Sequence, residues 1–301
     1  MNAPQNPETT RGLIAASSAY MLWGFMPVYF KLVEAVNPWV ILGHRVIWAV
    51  PVVLAMLALS GRLQEISDAV RRPKVVFPLL ASAVLIASNW GVYIWAVLSD
   101  RILEASLGYF INPLMTLALA ALLFGERFTR LQMLAVAIAA LGVLNQALVV
   151  GQVPWVSLAL GALFALYSAI RKVTPVTSRT GFAIETLWLT PLALAWLVLF
   201  PVQQAVALGA PDWPHFWLLM LAGPVTAMPL ILFAIGARAL RLSTIGLLQF
   251  SAPTLQFILA LAYGETFTPA HAITFGLIWI GVGIYCVSSL RIERRARRMP
   301  A

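Results

Sequence analysis

The chain has 301 residues, 61% of them hydrophobic and only 10% charged, with a net charge of +9. Ordinary soluble domains carry about a quarter charged residues, and disordered chains lack apolar residues, so both classes are excluded. In a soluble chain the surplus of cations would suggest nucleic acid. No basic stripe on a soluble domain exists here, and nucleic acid is excluded as a partner.

In chain order, about ten polar residues precede an apolar run of about twenty. That run exceeds the 7–15-residue apolar region of a cleaved signal peptide and reads as a retained first helix. Ten apolar segments are predicted: 12–33, 39–59, 75–98, 105–124, 131–149, 154–170, 181–200, 215–236, 243–263 and 272–290. Backbone polar groups in lipid need partners within the segment, and these runs are about twice the length of a barrel strand, so each reads as a helix. The connections between them are short. Cys286 is the only cysteine, which excludes an intrachain disulfide and a CxxC-type zinc site; no metal and no cofactor are expected.

The loop charges give the orientation. Seventeen of the 20 basic residues fall on alternate connections: Arg11, then those within 62–74, 127–130, 171–179, 238–241 and the tail 291–298. The opposite connections hold Lys31 and Arg101, and Arg45 lies inside the second segment. This asymmetry places both termini in the cytoplasm. The five arginines of the tail fix orientation and touch anionic lipid.

The chain repeats itself. Trp48 and Pro51 recur as Trp188 and Pro191, and Pro113 recurs as Pro253, all at an offset of 140. Gly125-Glu126-Arg127-Phe128-Thr129 recurs as Gly264-Glu265-Thr266-Phe267-Thr268, one residue adrift. Five helices per copy is an odd number, so the second copy is inverted. The expectation is an all-α membrane protein of ten transmembrane helices. It comprises two inverted five-helix repeats, residues 1–150 and 151–301, with N and C termini cytoplasmic. Inverted repeats of this kind characterise secondary transporters.

Several motifs resemble a known family. Trp23-Gly24-Phe25, Tyr29-Phe30-Lys31 and His44-Arg45-Val46-Ile47-Trp48 look like the opening of the RarD proteins. So do Glu104-Ala105-Ser106-Leu107-Gly108-Tyr109-Phe110-Ile111-Asn112-Pro113, Gly125-Glu126-Arg127-Phe128 and Arg241-Leu242-Ser243-Thr244. The RarD proteins belong to the EamA group of the drug/metabolite transporter superfamily. The resemblance covers essentially the whole chain and implies an inner-membrane carrier whose helices 3, 4, 8 and 9 line a central cavity. RarD carries a label about chloramphenicol sensitivity, while relatives export amino acids and other metabolites.

Two charges inside the spans need explanation, because an ionisable group at mid-bilayer costs about 2.5–3.5 kcal/mol on the gentlest scale. Arg45 and Glu185 occupy equivalent repeat positions, so a pseudo-two-fold axis either brings them together or sets them at opposite ends of the cavity. They are a fixed ion pair or separate interfacial groups, or else a gating and coupling pair in which Glu185 carries a proton. His44 is a packing or capping residue, or part of the same relay.

Polar residues also share helical faces: Ser106, Tyr109, Asn112 and Thr116 on helix 4; Asn89, Tyr93 and Ala96, with Trp90 at the edge, on helix 3; Gln249, Pro253 and Gln256 on helix 9. Such faces either bond neighbouring helices or contact substrate. The resemblance favours substrate contact for Asn89, Trp90, Tyr93, Ser106, Tyr109, Asn112, Gln249 and Gln256. Pro113 and Pro253 remove backbone bonds at matching points and read as hinges or as permanent kinks. Trp39, Trp155, Trp213 and Trp217 lie near span ends as interface anchors.

The predicted function is export of small amphipathic metabolites, amino acids and aromatic ones among them, by alternating access. Protons are the coupling ion, the bilayer is the solvent and the monomer is the working unit. A multidrug exporter and a passive facilitator are the alternatives. An enzyme is not expected: His44, His215 and His271 are not spaced as HExxH, and no phosphate loop or nucleophile elbow is present.

Overall fold

The computed structural model describes residues 7–124, 129–149, 151, 153–199, 214–240 and 242–296. Every regular element among the described residues is an α-helix. The second Gly-Glu motif's counterpart at 125–128, Trp213, Arg241, Arg297 and Arg298 lie outside them.

The first apolar segment is α1 (Pro7–Gly24) and α2 (Met26–Leu32), broken at Phe25. Asn37 opens α3 (Pro38–Leu59): its side chain accepts from the Trp39 amide, and Pro38, which has no amide to satisfy, takes the first position. A short helix, α4 (Gln64–Val70), follows where sequence pattern gives only a connection. Then come α5 (Pro73–Leu98), α6 (Ile102–Phe124), α7 (Arg130–Val149), α8 (Trp155–Val173), α9 (Ser178–Leu199) and α10 (Phe216–Ala239). The chain ends with α11 (Leu242–Leu248), α12 (Ser251–Ala262) and α13 (Pro269–Ala296).

Among the described residues, eight helices are long and apolar enough to cross a bilayer alone, and nine crossings result if α1 and α2 count as one. Their outer faces are apolar as well: Phe77 is 70% exposed, Leu148 72% and Leu192 67%. Faces like these mark lipid contact. The protein is a multi-pass membrane protein.

The ninth apolar segment departs from the expected single helix. It is α11 and α12, broken at Gln249 and Phe250. Pro253 has no amide to donate to the Gln249 carbonyl, so the ladder fails one turn before it. Pro253 itself is tolerated as the third residue of α12. Its repeat counterpart Pro113 lies inside α6, which runs unbroken through it. The two matched prolines therefore sit in different local structures.

The chain forms two compact units, and each draws on both halves of the sequence. The first comprises residues 1–27, 100–165 and 231–301. In it α7 and α13 run antiparallel: Thr129, before α7, meets Ser288 near the end of α13, and Asn145 reaches the Ala270 carbonyl at the start. Glycines allow the approach, since a Cβ at Gly281 would lie 2.8 Å from the Ala135 carbonyl oxygen. α6 and α12 are antiparallel too, with Phe110 stacked on Phe250 at 6.4 Å.

The second unit comprises residues 28–99 and 166–230. Here α3 packs antiparallel on α9, with Gly43 against Leu197 and Trp39 edge-on to Trp196. A Cβ at Gly223 on α10 would collide with the Trp48 carbonyl. α4 folds onto this unit through Ala69 and Ile66, which join Val75, Leu79 and Ile184 in one apolar cluster.

Candidate functional site

Glu185 lies seven residues into α9, about 10 Å along the helix at 1.5 Å per residue. Its side chain is 1% exposed. Three groups from two other helices reach it. Ser82 Oγ on α5 donates to Oε1 at 2.5 Å, Tyr167 on α8 donates to Oε2 at 3.4 Å, and the Arg171 guanidinium on α8 stands 3.7 Å from Oε1. Arg171 also donates to the carbonyls of Thr177 and Ser178. It fits there because residue 181 is glycine: a Cβ at Gly181 would overlap the guanidinium.

This arrangement offers the Glu185 carboxyl group hydrogen-bond partners in either protonation state. With Glu185 ionised, Ser82 donates to it and Arg171 balances the charge. With Glu185 protonated, the carboxyl can donate to Ser82 Oγ, whose own proton turns to the Leu79 carbonyl 3.0 Å away. Unpaired polar groups are costly at such depth, so partners for both states of the carboxyl group are what a proton carrier requires.

Arg45 is not part of this cluster. It lies equally deep in α3, but the antiparallel register of α3 and α9 separates it from Glu185 by about 12–15 Å along the helix axes. Its guanidinium stacks on the Trp90 ring at 4.5 Å, with Phe30 at 5.8 Å. A cation over an indole face is worth about 2 kcal/mol or more when desolvated. His44, next to it, accepts from Trp48 Nε1 at Nδ1 across one turn. An indole only donates, so this bond holds His44 in the neutral tautomer protonated at Nε2. Asn89, Trp90 and Tyr93 are all buried on α5, with Tyr93 against Phe30 and Trp90 against Phe182.

The other candidate residues lie in the first unit. Ser106 Oγ donates to the Pro253 carbonyl at 2.8 Å, and Gln256 Nε2 donates to the Trp23 carbonyl at 3.1 Å. Both bind backbone, across α6–α12 and α12–α1. Asn112 Oδ1 accepts from Thr116 at 3.4 Å within α6. Tyr109, Asn112 and Gln249 are half-buried. Ser82, Tyr167, Arg171 and Gly181 were not among the sequence candidates. Arg171 reads as a loop charge from its position near the end of an apolar run, and the tight turn between α8 and α9 brings it back over Glu185.

Two further carboxylates sit outside the spans. Glu65 on α4 accepts from Thr180 at 2.5 Å and from Thr177 at 3.1 Å. The Thr180 bond is the main reason its carboxyl is held below the usual range. Glu265 accepts from the Ile102 and Leu103 amides, capping α6 with both oxygens at 2.5 and 2.8 Å. Burial outweighs those two bonds and pushes its carboxyl up. Among the described residues, no group of three or more His, Cys, Asp or Glu could hold a metal ion.

Residues 10–145 match the EamA-like transporter family. The chain is similar to an uncharacterized transporter of Vibrio cholerae, 40% identical over 296 residues and 98% of each chain. It is similar to Protein RarD of Salmonella typhi, 41% identical over 289 residues, covering 96% of this chain and 98% of that one. A crystal structure 22% identical to it superposes with a TM-score of 0.58 over 94% of this chain and 99% of the other, a likeness of fold.

Proposed function

Because the chain belongs to the EamA-like transporter family, alongside the RarD proteins, we propose that it is a proton-coupled secondary transporter of the bacterial inner membrane. It exports small amphipathic metabolites, amino acids and aromatic ones among them, by alternating access. The observation that carries the coupling is the Glu185 cluster, in which the carboxyl group has hydrogen-bond partners in either protonation state.

The ten-helix reading, with α11 and α12 as one broken crossing and both termini cytoplasmic, draws support from the packing. α3 with α9, α6 with α12 and α7 with α13 each join a segment to the one five segments later, and each pair is antiparallel. Phe110 and Phe250, stacked on one another, differ by the repeat offset of 140. Copies related by inversion pack in this way. Bent or broken helices such as α11–α12 are where transporters of this kind place substrate, and Gln249 stands at that break. Asn89, Trp90 and Tyr93, beside the Arg45 guanidinium, offer aromatic faces, hydrogen bonds and a positive charge suited to a zwitterion.

Flux of labelled amino acids in proteoliposomes, with and without an imposed pH gradient, tests the reading. Gradient-driven accumulation of one or more amino acids is expected. Absence of flux for every amino acid, with flux of chloramphenicol-type compounds instead, would replace it with the drug-exporter reading. Equilibration indifferent to the gradient would remove the proton.

A further inference from the structure

Away from the Glu185 cluster, the second unit carries an open cleft of about 530 Å³ where the α2–α3 turn meets the C-terminus of α5. Glu34, Asn37, Trp39, Trp95, Leu98 and Ser99 are among its lining residues. The loop charges put this end of the helices opposite the cytoplasmic basic connections, at the level where tryptophan anchors a span to the interface.

The cleft is built rather than incidental. Trp39 is 46% exposed yet fixed: its ring rests edge-on to Trp196 at 6.4 Å and lies over Gly91, where a Cβ would come within 3.0 Å of it. Asn37, whose side chain accepts from the Trp39 amide, fixes the backbone beneath the ring. Glu34 is the only acidic residue among the described residues of the lining, with its side chain 60% exposed. Lys31 orients that carboxylate from one turn back through Oε2 at 3.4 Å.

Two indoles and a carboxylate around a small open volume select for a compact cation with an apolar rim, because an indole face attracts positive charge and a carboxylate fixes it. We propose that this cleft binds a primary or quaternary ammonium group. The group has two available sources, the headgroup of an ethanolamine or choline lipid and a dissolved amine, and both present the same chemistry to Glu34, Trp39 and Trp95.

The test uses the full chain in nanodiscs of phosphatidylglycerol, which has no ammonium group. In one arm tetramethylammonium chloride is titrated calorimetrically, with sodium chloride as the control. In the other, retention of phosphatidylethanolamine over phosphatidylglycerol is measured by native mass spectrometry after reconstitution in a mixture. Saturable binding in either arm, weakened roughly two- to fivefold in Glu34→Gln and again in Trp39→Leu, is expected, the factor being that of about 0.5–1 kcal/mol for an exposed ion pair or cation–aromatic contact. Response in the lipid arm alone assigns the cleft to a headgroup, and response in the titration assigns it to a soluble amine. Binding that is equal in wild type and Glu34→Gln in both arms, or absent from both, overturns the proposal. Glu34 is exposed, so that variant decides the matter even if Trp39→Leu fails to fold.

Discussion

Ser106 and Gln256, buried in the first unit, bond to backbone, whereas Ser82, Tyr167 and Arg171 in the second converge on a carboxyl group. Ser106 and Gln256 each hold a carbonyl of a neighbouring helix, and a carbonyl has no second state to adopt. Ser82, Tyr167 and Arg171 hold a carboxyl group, which does. Equal burial thus serves two ends: bonds to backbone fasten helices, and bonds to a titratable group leave the structure able to change. The repeat sharpens the contrast, since the position matching Glu185 holds Arg45, a fixed charge resting on Trp90.

The largest effect that would break this contrast is expected at Arg171. Replacing it with leucine strips a buried carboxylate of its countercharge, a loss of about 3–5 kcal/mol if Glu185 stays ionised. It is read as a fall in thermal midpoint, and Glu185→Gln in the same chain should recover most of it. Failure of the double variant to recover would mean that Arg171 acts through packing alone. Next in size is Gly181→Ala, whose new methyl displaces the guanidinium from Glu185. Overpacking of this kind costs about 1–3 kcal/mol, and pH-driven flux should fall more steeply than exchange.

Outside the spans, Glu65 and Glu265 should act in opposite senses. Glu65 is held below its ordinary range, so its contribution is present above the unfolded pKa and disappears as pH falls through the folded value. Glu65→Gln should flatten the acid side of the stability curve. Glu265 is raised, so its contribution is present at low pH and is lost as pH rises through the folded value; Glu265→Gln should flatten that fall in stability. Melting curves between about pH 3 and 7 distinguish the two, a window set by ordinary carboxylate values. The smallest effect belongs to Ser106→Ala, about 0.6 kcal/mol for one interhelical bond, with the pH response of transport intact.

The helices were legible in the sequence because twenty-residue apolar runs in lipid have one solution. The break at Gln249 was only half legible: Pro253 marks it, yet Pro113 at the matching position leaves α6 whole, and local sequence alone does not separate the two. α4 was not legible, because Ile66 and Ala69 are too few to show a period and gain their meaning from Val75 and Ile184 across the fold. Glu185 stood out as a charge within a span. Its partner did not, because Arg171 looks like any cation at the end of a helix until the turn to α9 and the missing Cβ at Gly181 are seen together.

Glu185 is expected to exchange a proton within an intact fold. Infrared difference spectra of the purified protein across a pH titration read this directly. A protonated-carboxyl band that rises as pH falls, vanishes in Glu185→Gln and shifts in frequency in Ser82→Ala is the result predicted. A spectrum identical in wild type and Glu185→Gln at every pH would show Glu185 permanently ionised against Arg171, a structural pair and nothing more.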